Sequence, residues 1–217
     1  MQGTPINETI SHEEENTMAE TKPMNPLEAM AYILSRQIED HQVVYIGTGL
    51  PMVAGILAKK THAPHITFVY ESGGQDPIAG GMPWSVGGPE TYRKSPMILE
   101  MPYSFGQAAS GLVDTGFLGF AQIDMYGNAN TTMIGSEFTN PKVRLTGSGG
   151  NNDVASLCEK LVFVGIQSPQ KFVPKCDFIT SAGHLTGGNA RQEAGLLGQG
   201  PIAVVSTAGV YDFEPGT

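Results

Sequence analysis

The chain has 217 residues, of which 40% are hydrophobic, 15% charged and 28 are glycine. This composition suits one sizeable α/β core with many tight strand-to-helix turns and excludes a helical bundle or a coiled coil. A formal net charge of -9 argues against nucleic acid or an anionic membrane surface as the main partner, although local donors can still hold a small anionic cofactor.

Cys158 and Cys176 lie in apolar surroundings without CxxC spacing and with no signal peptide before them. They read as buried, reduced thiols of a cytoplasmic protein, with a disulfide as the alternative. The histidines show no metal-ligand spacing: His62 and His65 flank a Pro-containing turn, and His12, His41 and His184 stand alone. No run reaches the roughly 18 apolar residues of a membrane-spanning helix.

Residues 1–24 are polar, include Glu13-Glu14-Glu15 and have no sustained periodicity, which predicts a disordered acidic extension ahead of a single domain over 25–217. Asn25, Pro26 and Glu28 supply an N-cap, a first-turn proline and an N3 carboxylate. Leu27, Met30, Ala31, Leu34 and Ile38 then follow at helical spacing, predicting a helix to about Glu39. Gln42–Ile46 is the first predicted strand. Gly47-Thr-Gly-Leu-Pro51 turns it into a helix over Met52–Lys60. That turn reads either as an anion cradle or as a purely structural turn, because it lacks both the GxGxxG and the GxxxxGK[ST] spacing.

Ile66–Tyr70, bounded by Pro64 and by Gly73-Gly74, is a continuous apolar run suited to a buried parallel strand. Glu71 stands at its carboxyl end, where open α/β sheets bind ligands. A carboxylate there serves as nucleophile, general base or hydrogen-bonding anchor, or is simply a solvated strand end. Glu90, Glu100 and Glu137 lie in less suitable contexts, and Asp124 and Asp153 read as turn and helix-cap residues.

From Ser72 to about Gly111, five prolines and repeated glycines predict a long irregular segment of the functional or partner-covering kind. It contains Trp84, either an anchor for the loop or a wall of a substrate pocket. Asp114–Asp124 returns to β-type sequence, and Met125-Tyr-Gly-Asn128 predicts a hairpin into Ala129–Ile134. Pro141–Leu145 is a further strand. It runs through Thr146-Gly-Ser-Gly-Gly150 into a helix ending near Cys158, with Asn151, Asn152 or Asp153 as caps. Such a junction fits an oxyanion site or a plain capped turn. Leu161–Ile166, Cys176–Thr180 and Ile202–Ser206 complete the predicted strands, and 183–200 reads as loops. The fold class is α/β: an open, mostly parallel sheet flanked by helices, with antiparallel hairpin additions.

Several of these segments carry a family resemblance. VVYIGTGLPMVAGILAKKTHAP (43–64), Glu71-Ser-Gly73, AQIDMYGNANTTMIG (121–135), PKVRLTGSGGNNDVAS (141–156) and FVPKCDFITSAG (172–183) together resemble the β-type subunit of family I coenzyme A transferases, above all the glutaconate branch. The resemblance implies the fold of that family and makes Glu71 the nucleophile of a ping-pong exchange through a glutamyl-CoA thioester. It makes coenzyme A and its acyl thioesters the substrates, with no metal or redox cofactor.

Candidate oxyanion or coenzyme A donors are Gly119, Gln122, Gly147, Ser148, Gly149 and Gly150; for Gln122 the alternative is a residue that only satisfies backbone groups. Ser72, Gly73, Trp84 and Phe120 are candidate pocket residues. Phe120 departs from the family's small residue and narrows the acyl pocket or shifts the oxyanion geometry. The resemblance also implies an α-type partner subunit in a heterotetramer or larger assembly, and a chain truncated at its C-terminus, where relatives continue. Two alternatives accompany the transferase: an acyl-CoA hydrolase, cleaving a thioester or a ring C–C bond, and a non-catalytic partner subunit.

Overall fold

The computed structural model describes residues 23–78, 81–83 and 85–214. The expected acidic extension therefore lies almost wholly outside the described residues, as does Trp84.

The first helix, α1 (Pro26–Ser35), starts with the capping box read from sequence: Asn25 Oδ1 accepts the Leu27 and Glu28 amides, and the Glu28 carboxylate accepts the Asn25 amide. It ends four residues earlier than expected. Beyond Arg36 the amides of Gln37 and Ile38 turn to carbonyls three residues back, which tightens the chain while keeping Ile38 buried.

Strand β1 (Val43–Tyr45) leads into α2 (Leu50–Thr61), and β2 (Thr67–Val69) completes the β-α-β unit. Short strands β3 (Gly74–Gln75) and β4 (Met97–Ile98) follow, then α3 (Met101–Ala109). This helix falls inside the stretch expected to be irregular. Pro102 lies in its first turn, where no amide hydrogen bond is required, so the proline starts the helix instead of breaking it.

The expected hairpin is present as β6 (Gln122–Ile123) and β7 (Ala129–Asn130), after β5 (Thr115–Gly119). Asp124 closes its turn by accepting the Tyr126 and Asn128 amides. A second antiparallel pair joins β8 (Met133–Ile134) to β9 (Val143–Arg144). The chain continues through α4 (Asn151–Leu157), β10 (Lys160–Gly165), the one-turn α5 (Ala190–Glu193), β11 (Gly200–Ser206) and β12 (Val210–Asp212).

Cys176–Thr180 is not a strand. Its polar groups are engaged locally, with the Asp177 amide and carboxylate bound to Gln122 and the carboxylate also to the Gly135 amide; only single bridges, at Phe172 and Ser181, join the surrounding segment to the β6–β7 hairpin.

The main sheet has eight strands in the order β12-β11-β10-β5-β1-β2-β3-β4, parallel from β11 to β2 and antiparallel at both edges. Alternation along the parallel strands divides the core between two faces. Val44, Phe68, Phe117, Val162 and Val205 pack with Met30, Leu34, Met52 and Ala58 from α1 and α2. Tyr45, Val69, Leu118, Phe163 and Val204 pack with Ala108, Val154 and Ala155 from α3 and α4. Because β5, β1 and β2 are neighbours and parallel, their carboxyl ends emerge side by side.

Candidate active site

A cleft of about 210 Å³ opens where those three strands end. Tyr45, Ile46, Gly47 and Thr48 line it from β1, Glu71 from the end of β2, Phe117–Gly119 from β5, and Gly150, Asn151 and Val154 from the start of α4; Val86 of the long loop joins them.

Glu71 is held by a tight turn. The Gly73 amide donates to the Tyr70 carbonyl at 2.8 Å, Gly73 has φ 100°, and Ser104 Oγ donates to the same carbonyl at 2.9 Å. Gly73 is obligatory here, since a Cβ on it would overlap the Leu99 carbonyl. The peptide after Glu71 is fixed from outside the turn as well: the Tyr92 hydroxyl donates to the Ser72 carbonyl at 3.0 Å, and the Ser72 and Thr91 hydroxyls are 3.2 Å apart. Glu71 is thereby presented, partly exposed, from a backbone braced on two sides.

Gly150 brings α4 against this carboxylate. An ideal Cβ on Gly150 would stand 3.0 Å from Cδ and Oε2 of Glu71 and 2.7 Å from Cζ of Phe105. Gly150 is the N-cap, with no side-chain cap; the expected Asn or Asp cap is replaced by Ser148, whose Oγ accepts the Asn152 amide at 3.2 Å. The amino end of α4 thus faces Glu71, an arrangement that favours negative charge.

Tyr45 is the neighbour that sequence reasoning misses. It is 4% exposed, its ring stacks on Phe105 at 5.5 Å, and its hydroxyl has no hydrogen-bond partner. Burial, with the Glu71 charge adding to it, pushes the phenol above its ordinary value, so it stays neutral. Its position as the last strand residue before the Gly47 turn is the available signal. Asn151, a cap by sequence, lines the cleft instead, and its Nδ2 donates to Thr131 Oγ1 at 3.4 Å.

Of the residues singled out in the sequence, Glu71, Gly119 and Gly150 meet in the cleft. Gly147, Ser148 and Gly149 form the turn behind it, Gly147 at φ 93° with its amide on the Thr131 carbonyl at 2.9 Å. Ser72 and Gly73 brace Glu71 and do not line the cleft. Gln122 is directed elsewhere: its Oε1 accepts from Asn130 Nδ2 and the Asp177 amide, and its Nε2 donates to Asp177, leaving its amide as internal scaffolding. Phe120 packs edge-on against Phe163 and Phe172 and borders a separate cavity with Thr131, Arg144 and Thr146. Its bulk is accommodated by Gly165, where a Cβ would come within 2.7 Å of the ring. Cys158 and Cys176 are unpaired and buried, and burial pushes both thiols up to about 12, which leaves them protonated.

Over residues 27–217 the sequence matches the family described as Coenzyme A transferase. The chain belongs to that family. It is 37% identical over 193 residues to the second, β-type chain of the 3-oxoadipate CoA-transferase of Pseudomonas knackmussii, covering 88% of this chain and 73% of that one. The fold matches the crystal structure of glutaconate coenzyme A-transferase from Acidaminococcus fermentans with a TM-score of 0.84 at 33% identity, over 89% of this chain and 76% of that chain. The decarboxylase AibA/AibB matches at a TM-score of 0.75 and 26% identity, over 88% and 74% of the two chains. The protein is therefore a β-type subunit of a coenzyme A transferase, an enzyme component whose substrates are coenzyme A thioesters. The resemblance carried by ESG, AQID-x-x-GN-x-N and TGSGG holds, and so does the expected fold class.

Proposed function

We propose that this transferase subunit exchanges coenzyme A between an acyl-CoA and a carboxylic acid by a ping-pong mechanism with Glu71 as the nucleophile. The observation that carries the reading is the braced carboxylate of Glu71 in a cleft against Gly150 and Gly119. In the first half, a carboxylate oxygen of Glu71 attacks the thioester carbonyl. The C–S bond breaks, coenzyme A leaves as the thiolate, and a mixed anhydride remains. The thiolate then attacks the glutamyl carbonyl, the anhydride C–O bond breaks, and the first acid departs as its carboxylate. Glu71 is left as a glutamyl-CoA thioester. In the second half, the acceptor carboxylate attacks this thioester and repeats the two steps in reverse, so that Glu71 is regenerated as the new acyl-CoA leaves.

Each attack passes through a tetrahedral oxyanion, which preorganised amides and the positive end of α4 stabilise; the main chain at Gly119 and at 147–150 supplies the candidate donors. The neutral, desolvated Tyr45 adds no competing negative charge beside the nucleophile. An α-type subunit is the inferred partner that completes the site, consistent with relatives named as subunits.

The test is acceptor dependence in the complex co-purified with its partner. Acyl-CoA panels begin with the thioesters of glutaconate and 3-oxoadipate, the acids in the relatives' names. Turnover that requires a second carboxylic acid, and a fall of about 10³-fold or more in Glu71→Gln, are expected. Coenzyme A release without any acceptor acid indicates a hydrolase instead, and full activity in Glu71→Gln indicates a non-catalytic subunit.

A further inference from the structure

We propose that Asp40, His41 and His65 form a binding site for a zinc-class divalent cation at the amino edge of the sheet. The strand register builds it. Val43 stands opposite Thr67 in the parallel β1–β2 pair, so His41 and His65, each two residues upstream of those partners, come level with one another. They stand apart in sequence only because the α2 crossover separates them.

The geometry is close to that of a metal site. The His41 backbone adopts φ 67°, and its ring stacks on His65 with centroids 4.8 Å apart. Asp40 Oδ1 accepts the His65 amide at 2.7 Å, and Oδ2 is 2.8 Å from His65 Nδ1 and 3.6 Å from His41 Nε2. Ligand atoms around a tetrahedral zinc ion, with bonds of about 2.1 Å, are spaced about 3.3 Å apart. The two Asp40-to-histidine separations straddle that value.

One ligand atom from each of the three residues lies within 4.8 Å of the others. Closing the remaining histidine-to-histidine gap, and aiming both lone pairs at one point, requires only rotation of rings whose side chains are 77% and 64% exposed. The backbone amide on Oδ1 is the kind of outer bond that orients a ligating carboxylate, and solvent access leaves the fourth position to water. Two imidazoles and one carboxylate suit zinc better than magnesium or calcium, which take oxygen ligands. Binding needs a neutral His65 with Nδ1 free, so the proton held between Nδ1 and Asp40 moves to Nε2 or to solvent.

Glu71 lies beyond the opposite end of β2, so an ion here clamps the starts of two central strands and takes no part in acyl exchange. The experiment is a calorimetric titration of the chelator-treated, tag-free full chain with zinc(II), paired with thermal unfolding. One saturable equivalent is expected, with a rise in Tm that chelator reverses. His41→Ala and His65→Ala should each weaken binding at least tenfold and remove the Tm rise, while leaving the metal-free Tm and transferase activity unchanged. Absence of saturable binding, or equal affinity in the His41→Ala/His65→Ala double variant, would overturn the proposal.

Discussion

At the residue scale, the site joins a carboxylate that must be ionised to a phenol that must not be. The Tyr45 hydroxyl is buried without a partner, so folding desolvates it for no hydrogen bond in return. Tyr45→Phe is accordingly expected to leave stability unchanged or to raise it by about 1–3 kcal/mol in urea unfolding; a loss of more than about 1 kcal/mol would mean that the hydroxyl is bonded. Gly150 makes the complementary case. With φ -80° it carries no backbone need for glycine, and the constraint is the Glu71 carboxylate 3.0 Å from where a Cβ would stand. Gly150→Ala should therefore cut kcat/KM by roughly 10²-fold through misplacement of Glu71, while chemical unfolding shows a loss of about 1–3 kcal/mol from the crowding of Phe105. An unaltered kcat/KM would separate Gly150 from the chemistry. Glu71 is legible in the sequence because a carboxylate ends an apolar run before small residues. Tyr45 is not, because a buried strand residue has the same local pattern whether it packs or faces a cleft.

At the scale of elements, the turn after β2 connects fold to site. Gly73 lies at φ 100° with the Leu99 carbonyl where a side chain would go, and its own carbonyl accepts the Leu99 amide at 2.9 Å. Gly73→Ala must displace β4 or flatten the turn, so a stability loss of roughly 2 kcal/mol or more is expected, with a lowered kcat in whatever folded protein remains. Thermal unfolding and activity per folded molecule check the two halves. In sequence, the glycines after Glu71 allow close approach of a backbone or a substrate, and in the structure the approaching group is the backbone of Leu99. The central parallel strands, α1 and the β6–β7 hairpin are readable because period, caps and turn residues agree. The helix α3 is not, since prolines mark both the ends of helices and their first turns, and only tertiary packing against α4 decides which. Gln122 belongs to the same class: its side chain is legible as polar and buried, but its partners Asn130 and Asp177 come from other segments.

At the scale of the whole molecule, the parallel order β11-β10-β5-β1-β2 puts two unlike edges on one sheet. The carboxyl edge collects Glu71, Gly119 and the amino end of α4 into the cleft; the amino edge collects Asp40, His41 and His65. Both constellations depend on which strands become neighbours, which linear spacing does not state, and this is why the histidines look unrelated in sequence. The family membership, by contrast, is legible, because several short segments occurring in order restrict the chain far more than any one of them.

The most direct test of Glu71 as nucleophile is acid-quenched peptide mass spectrometry of the complex with its partner subunit, mixed with acyl-CoA and no acceptor acid. The account predicts a coenzyme A adduct on the peptide containing Glu71, lost on addition of a carboxylic acid and absent from Glu71→Gln. Free coenzyme A accumulating with no adduct on that peptide would contradict it.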